Sequence, residues 1–476
     1  MTSFMLRKTK KIHFVGIGGI GMSGIAEFLH NQGYEISGSD LQSTELTNHL
    51  SNEGIKIFEG HRIENLENID VLVKSSAVKD DNPEVIHALH TKIPVIRRAE
   101  MLAELMRMSF GIGIAGTHGK TTSTSMVGMI LSAANLEPTV IVGGRVMNYG
   151  KNNLLGSGEY IVVEADEYDR SFLTLSPIIA AITNIEADHL DCYESLNDIK
   201  DAFVTYANKV PFFGSVVCCL DDIGVQSILP EIKKNIVTYG ITRQADVRAI
   251  NIENRDFKSK FEILYKDYNL GSIKINTIGK HNIQNALLAV SIGIEMNISF
   301  DKIKKGLEEF KGVYRRFEFI GEINKIKIFD DYAHHPTEIM ATLQGVRENT
   351  ENRVIAVFQP HLYSRTRDFY AEFGRSFYNA DILVVTPIYP AREEEIEGIS
   401  GQLIVDTAIQ SGHNKAIYIE NNELIIDTLI EIMNENDIIV TLGAGDIHKF
   451  GKKLYDLSSS EDFQIKTNAS KATING

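Results

Sequence analysis

The sequence predicts a multidomain α/β protein built on parallel sheets. Three observations predict it: short apolar strands alternate with helical stretches, two of those strands run straight into glycine-rich turns, and acidic or histidine clusters recur at strand ends. At 476 residues the chain is too long for one ordinary core, and about three domains are expected.

The first third reads as a strand at Ile12–Val15, a helix at Gly21–Asn31 and a strand from Tyr34 that ends at Asp40. Strands at Val71–Lys74 and Pro94–Ile96 flank a helix at Pro83–His90, which completes a βαβ rhythm and hence a parallel sheet. A second unit opens with a buried strand at Phe110–Ala115, a glycine turn and a helix from Lys120. Its sheet is expected to continue through Tyr160–Ala165, Ile178–Thr183 and Val216–Leu220. Residues 246–278 take a hairpin pattern with a turn expected at Asn269–Gly271, and a helix from Asn282 to about Met296 closes the unit. A third βα series follows Arg315–Arg316, with strands expected at Lys325–Phe329, Arg353–Phe358, Ile382–Thr386, Ala416–Ile419 and Ile438–Leu442. From about Leu457 the chain is polar and Ser-rich, and a disordered tail is expected.

A formal charge of -15 argues against non-specific attraction to nucleic acid or anionic membrane, though not against phosphate held by local glycine loops. Cys192, Cys218 and Cys219 form no CxxC pair, so neither a disulfide framework nor a structural zinc site is expected, and a reducing cytoplasm fits best. The basic start up to Lys11 is followed by a glycine-broken strand and not an apolar run, so no signal peptide is expected, nor is any membrane span.

Five motifs carry chemistry. Gly16–Gly21 fits G-x-G-x-x-G between a strand and a helix: Gly18, Gly19, Ile20 and Gly21 would cradle a diphosphate, with Asp40 where a ribose-binding acid falls. On the residues alone that ligand is any nucleotide diphosphate, NAD included. Gly116, Thr117, His118, Gly119, Lys120, Thr121 and Thr122 form a phosphate-binding turn, with Ile114 where the strict P-loop has glycine. Lys120 would neutralise the β/γ-phosphates and Thr121 hold Mg²⁺. Glu164, Asp166 and Glu167 follow one strand, and Glu186, Asp188 and His189 follow another; an acid at a strand end beside such a loop is a candidate metal ligand. Asn282 and Asn285 are spaced i,i+3 at a helix start, where asparagine is ordinarily a cap. The last set is Arg315, Arg316, Asp330, Asp331, Tyr332, His334, His335, His361 and Arg365; its shared strand-end placement suggests one polar cleft.

Eight ordered blocks carry a resemblance: GIGGIGMSGIAE from Gly16, GTHGKTT from Gly116, EADEYDRSFL from Glu164, TNIEADHLD from Thr183, GKHNIQNAL from Gly279, DDYAHHPTEI from Asp330, FQPHLYSRT from Phe358 and LGAGDI from Leu442. From Ile12 to about Gly451 the chain resembles the Mur ligases of peptidoglycan synthesis. The resemblance implies a Rossmann-like UDP-sugar domain (1–109), a central P-loop ATPase domain with a parallel sheet and added β-hairpins (110–314), and a C-terminal Rossmann-like domain (315–456), with the tail at 457–476. It implies ATP-dependent joining of L-alanine to the carboxylate of UDP-N-acetylmuramate through an acyl phosphate, in the cytoplasm, by a monomer or weak homodimer.

By the same resemblance, Gly116 to Thr122 hold the ATP phosphates, and Thr121, Glu164 and His189 form the Mg²⁺ shell. Asn282 and Asn285 contact adenine, with Arg316 and Asp331 completing the nucleotide site. Gly18, Gly19, Ile20, Gly21, Asp40, His61, Ser75 and Ser76 face the UDP-sugar, and Tyr332 and His361 lie near substrate. Lys120, Glu164, His189, His334 and Arg365 are the expected catalytic set. Several Mur relatives use a carbamylated lysine for a second Mg²⁺, and no lysine here matches it. Three rival readings are an NAD-dependent oxidoreductase, which leaves residues 116–122 unexplained, a nucleotide-dependent switch, which needs no acid at Glu164, and a sister ligase that attaches a recycled tripeptide to the same UDP-sugar.

Overall fold

The computed structural model describes residues 9–187 and 192–458, arranged as three sheets with flanking helices. The chain divides into two compact units: Met1–Ile252 with Phe261–Lys274 and Gln284–Lys311, and Glu253–Lys260 with Ile275–Ile283 and Gly312–Gly476.

In the first unit, β1 (Lys11–Val15), β2 (Glu35–Asp40), β3 (Lys56–Glu59), β4 (Val71–Lys74) and β5 (Val95–Arg97) form one sheet. Its order is β3-β2-β1-β4-β5 and every pairing is parallel. The order reverses between β2 and β4 about β1, so the turn after β1 opens at a topological switch point, where ligands of such sheets bind. A helix at Ile20–Asn31 follows that turn.

The second sheet contains β6 (Phe110–Ala115), β7 (Thr139–Val146), β8 (Lys151–Leu154), β9 (Tyr160–Glu164), β10 (Ile179–Ile182), β11 (Ser215–Cys219), β12 (Asn235–Gly240), β13 (Val247–Arg255), β14 (Lys258–Tyr265) and β15 (Tyr268–Ile275). Its order, β15-β14-β13-β12-β11-β10-β6-β9-β7-β8, puts β6 between the strands that carry the two acidic clusters. β6 pairs parallel to both β9 and β10. β6, β9 and β10 are near-continuous apolar runs, as strands covered on both faces must be.

The expected turn at Asn269–Gly271 is not a turn: those residues lie inside β15. The hairpins instead turn at Asp256–Phe257 and Lys266–Asp267, all four with positive φ, the conformation that matches two-residue turns to strand twist. Gly271 serves a different need, since a Cβ there would lie 2.9 Å from the Phe300 ring.

The first two sheets share a core. The helix Arg98–Arg107 buries Met101, Leu102, Ala103, Leu105 and Met106, and these join Ile12 and Phe14 to Ile161 and Phe203 in one apolar cluster. Met106 fits because residue 111 is glycine; a Cβ there would meet its Cγ at 2.2 Å.

The second unit holds β16 (Glu318–Ile323), β17 (Ile326–Asp331), β18 (Val354–Phe358), β19 (Ile382–Val385), β20 (Ala416–Tyr418) and β21 (Ile438–Leu442). The order is β16-β17-β21-β18-β19-β20, parallel except for the antiparallel edge strand β16. Apolar clusters cover both faces, one around Phe358 and Phe373 and the other around Ile328 and Leu429. The last helix runs His448–Ser458, two residues into the expected tail; residues 459–476 lie outside the described residues. No helix among the described residues is long and apolar enough to cross a membrane.

Candidate active site

The loop after β6 is built for phosphate by backbone conformation. Gly116 has φ +137° and Gly119 φ +82°, both in the region that favours glycine. Space demands glycine as well: a Cβ on Gly116 would sit 1.9 Å from Thr183 Oγ1, and one on Gly119 2.5 Å from Asn285 Oδ1. The end of β10 braces the loop. His118 N–H donates to Asn184 Oδ1 at 2.8 Å, Thr183 Oγ1 donates to the His118 carbonyl at 2.7 Å, and Glu186 N–H donates to Thr117 Oγ1 at 3.0 Å. The 14-residue helix Lys120–Ala133 follows, and its first N–H groups have no intrahelical acceptor, which makes an anion site of its start. Ser123 Oγ donates to Asn285 Oδ1 at 3.0 Å, which fastens Asn285 to this helix.

Lys120 folds back over the loop. Its Nζ donates to the Gly116 carbonyl at 2.7 Å and to Glu167 Oε1 and Oε2 at 2.9 and 2.8 Å. Burial lowers its pKa, but the Glu167 and Asp166 carboxylates outweigh that, so the ammonium is held protonated above the usual lysine range. Glu167 is buried and in turn fixed through its carbonyl, which accepts the Tyr193 hydroxyl at 2.6 Å. The sequence offers Glu167 only as one acid of the Glu164–Glu167 run; its role as the partner of Lys120 is what sequence reasoning missed.

Glu164, at the end of β9, points Oε1 into a buried position with no hydrogen-bond partner among the described residues. Burial raises its pKa, and hydrogen bonds from Thr121 and the Gly143 backbone pull the other way. An orphaned carboxylate oxygen beside the Thr121 hydroxyl is a donor set that fits a hard divalent cation. His189, the third expected ligand, lies outside the described residues.

In the β1–β5 sheet, Gly16 has φ +78°, and Gly18 N–H donates to Asp40 Oδ2 at 2.8 Å. Asp40 therefore braces the glycine loop from the end of β2, and a Cβ on Gly18 would approach Oδ2 to 2.9 Å. Gly19 is the N-cap and Ile20 the first residue of the helix Ile20–Asn31. Ser75 packs against Gly16, and its Oγ accepts Ala77 N–H at 3.3 Å; Ser76 follows it in the turn after β4. His61 sits beyond β3 and reaches Ser39 Oγ at 2.9 Å.

The second unit gathers the C-terminal set. The Arg315 and Arg316 guanidinium groups lie 4.9 and 5.0 Å from the Tyr332 ring centroid. Arg316 also pairs with Glu338 at 3.5 Å. Asp331 accepts Phe317 N–H at 3.0 Å and Ala333 N–H at 2.8 Å, so it also fixes the turn that carries Tyr332; burial raises its pKa to about 6. The His334 ring meets Tyr332 at 5.3 Å and His361 at 6.0 Å, both edge-on. Burial lowers both histidines to about 4, so both are neutral at pH 7. Arg365 Nη1 donates to His361 Nδ1 at 3.4 Å, and Tyr389 stacks on the same ring at 5.9 Å. Between His361 and Arg365, Leu362 is held at φ +71°, a strained conformation for leucine. Asn282 donates to Thr277 Oγ1 at 3.0 Å and to the Ile278 carbonyl at 2.8 Å. Tyr332, His334, His361, Arg365 and Arg316 thus share one cluster; Tyr389 is a member that sequence reasoning did not find.

Fold and loops together define an α/β protein of three sheets with a phosphate-binding turn in the second. Three family models match in the same order: Mur ligase family, catalytic domain, over residues 11–110; Mur ligase middle domain over 114–293; and Mur ligase, glutamate ligase domain, over 315–445. The chain belongs to the Mur ligase family. It is 51% identical over 452 residues to the UDP-N-acetylmuramate–L-alanine ligase of Geotalea uraniireducens, covering 95% of this chain and 99% of the relative. The enzyme of that name from Salinibacter ruber is 48% identical over 458 residues, covering 96% of each chain. Among solved structures, the UDP-N-acetylmuramate–alanine ligase of Thermotoga maritima superposes with a TM-score of 0.76 at 30% identity, covering 94% of this chain and 98% of that one. The murein peptide ligase of Psychrobacter arcticus gives 0.66 at 25% identity, with 94% and 98% covered.

Proposed function

We propose that this chain joins L-alanine to the carboxylate of UDP-N-acetylmuramate, using ATP and releasing ADP and phosphate, in the cytoplasmic synthesis of peptidoglycan precursors. What carries the reading is the geometry around Lys120: a protonated lysine on a glycine turn, beside a threonine and an orphaned carboxylate. The near-full-length identity to relatives of that activity favours L-alanine over a recycled tripeptide. Nucleic acid and membrane have no part in the reading, and a monomer or weak homodimer suffices.

A carboxylate does not condense with an amine in water because its leaving group would be oxide. Phosphorylation replaces oxide with phosphate. Gly116 to Thr122 hold the ATP phosphates through backbone N–H groups, and Lys120 offsets the charge on the transferring phosphoryl oxygens, the main requirement of that step. Thr121 and Glu164 would hold Mg²⁺, which supplies further charge neutralisation there when bound. Asn285, tied to the loop helix through Ser123, would meet the adenine edge. In the second unit Arg365, beside His361, offers a cation for the amino-acid carboxylate. His334 and His361, lowered to about 4 by burial, stay neutral at pH 7 beside Arg365 and add no charge that would repel the incoming ammonium.

The acyl phosphate is tested by isotope transfer. With ¹⁸O in the UDP-N-acetylmuramate carboxylate, one labelled oxygen should appear in the released phosphate. Unlabelled phosphate accompanied by product would rule out carboxylate phosphorylation.

A further inference from the structure

Glu167 is buried, its side chain only 3% exposed, and the chemistry above gives it no step. It lies three residues beyond the end of β9 and caps the short 3-10 helix Tyr168–Thr174. Its backbone is pinned twice: its carbonyl accepts the Tyr193 hydroxyl at 2.6 Å and Arg170 N–H at 3.0 Å. From that fixed point the carboxylate reaches Lys120.

The donor count at Lys120 is then full. An ammonium has three hydrogens. Two go to carbonyls of the phosphate-binding turn itself, Gly116 at 2.7 Å and Thr117 at 3.3 Å. The third falls to the Glu167 carboxylate, whose oxygens lie at 2.9 and 2.8 Å. The turn is braced by Thr183 and Asn184, which holds the two carbonyls in place. The hydrogen that can pass to a phosphate is the one on Glu167.

A carboxylate presents what a phosphate edge presents: anionic oxygens that accept charge-assisted N–H bonds at the same distances. Lys120 cannot offset charge on a phosphoryl group while that hydrogen is engaged. Burial raises the Glu167 pKa, Lys120 opposes the rise and Asp166 reinforces it. When Lys120 turns away, Glu167 loses its compensating cation inside the protein, and that loss weakens the binding of whatever draws the lysine off.

We propose that Glu167 is a stand-in for a nucleotide phosphate: it positions the Lys120 ammonium over the glycine turn until the β/γ-phosphates of ATP arrive, then yields it. The proposal rests on the ATP reading of that turn. Glu167 is thus a positioning residue that sets affinity by phosphate count, since a nucleotide too short to reach Lys120 meets no competition from it.

Two measurements on the full chain test this. In a crystal structure with the β,γ-imido analogue of ATP and Mg²⁺, Lys120 Nζ should sit on a phosphate oxygen and out of hydrogen-bond reach of both Glu167 oxygens. By calorimetry, Glu167→Gln should bind the analogue about tenfold tighter than the parent, the order expected when a neutral acceptor replaces a charged one. Its affinity for AMP should be unchanged. Lys120 still bonded to Glu167 in the complex overturns the proposal, and this arm needs only the parent protein. So does an analogue affinity that Glu167→Gln leaves unchanged, or an equal tightening of analogue and AMP, which would be a field effect on the whole site. A parent protein that binds UDP-N-acetylmuramate and neither nucleotide overturns the ATP reading itself, and the proposal with it.

Discussion

Lys120 Nζ lies 2.8 Å from Glu167 Oε2, so the cation of the phosphate loop is already paired with a buried carboxylate. The pair has two consequences that separate by measurement. Lys120→Ala should lower kcat by about 10²–10³, the effect of losing one charge or donor aimed at a transition state. It should also destabilise the fold by about 3 kcal/mol, because it strands Glu167. Adding Glu167→Gln should restore most of the stability in urea denaturation and none of the activity. A double variant as unstable as the single one would show that the pair carries no such coupling.

Glu164→Gln should raise the Mg²⁺ concentration needed for half-maximal rate, because the orphaned Oε1 is the oxygen offered to the cation. Titrating Mg²⁺ in a phosphate-release assay checks this. An unchanged midpoint would remove Glu164 from the metal shell.

Acid should affect the second unit in two opposing ways. His334 and His361 have folded pKa values lowered to about 4, so the unfolded chain binds more protons below the usual histidine value. Their stabilisation is complete near pH 7 and is lost as pH falls toward 4. Asp330 and Asp331 are raised to about 6, so the folded chain binds more protons and gains stability as pH falls from 6 toward 4. The shifts are of similar size and should nearly cancel. Asp330→Asn should therefore make the protein lose stability more steeply between pH 6.5 and 4.5 than the parent, and His334→Gln less steeply. Thermal melts across that range decide it; parallel pH slopes in all three proteins would contradict the opposition.

Gly18→Val should abolish UDP-sugar binding, because a Cβ alone would already press on Asp40 Oδ2 at 2.9 Å. NAD should not bind the parent protein in calorimetry. Saturable micromolar NAD binding, lost in the variant, would revive an oxidoreductase.

Much of this was legible in the sequence where backbone chemistry is local. The strands Ile12–Val15 and Phe110–Ala115 and the glycine turns after them were readable because tight turns into helices need glycine at fixed places. The helix expected near Pro83–His90 forms there, where Asn82 caps it and proline opens it. The pairing of Lys120 with Glu167 was not readable, because it depends on which side chains the sheet register brings together across 47 residues. The hairpin turns were misplaced for a related reason: strand pairing forced positive φ on Asp256, Phe257, Lys266 and Asp267, and glycine was needed elsewhere, against Phe300.

The central claim is the identity of the amine. A pocket closed around one methyl group gains only about 1–3 kcal/mol from it, so glycine should be used at a reduced but detectable rate. The direct measurement is kcat/KM for L-alanine against L-alanyl-γ-D-glutamyl-diamino acid, with the same ATP and UDP-N-acetylmuramate. L-Alanine should be preferred by at least about 100-fold, the order that a bulky competitor's exclusion implies. A preference for the tripeptide would contradict the account and assign the chain to the recycling reaction, on the same fold and with the same phosphoryl chemistry.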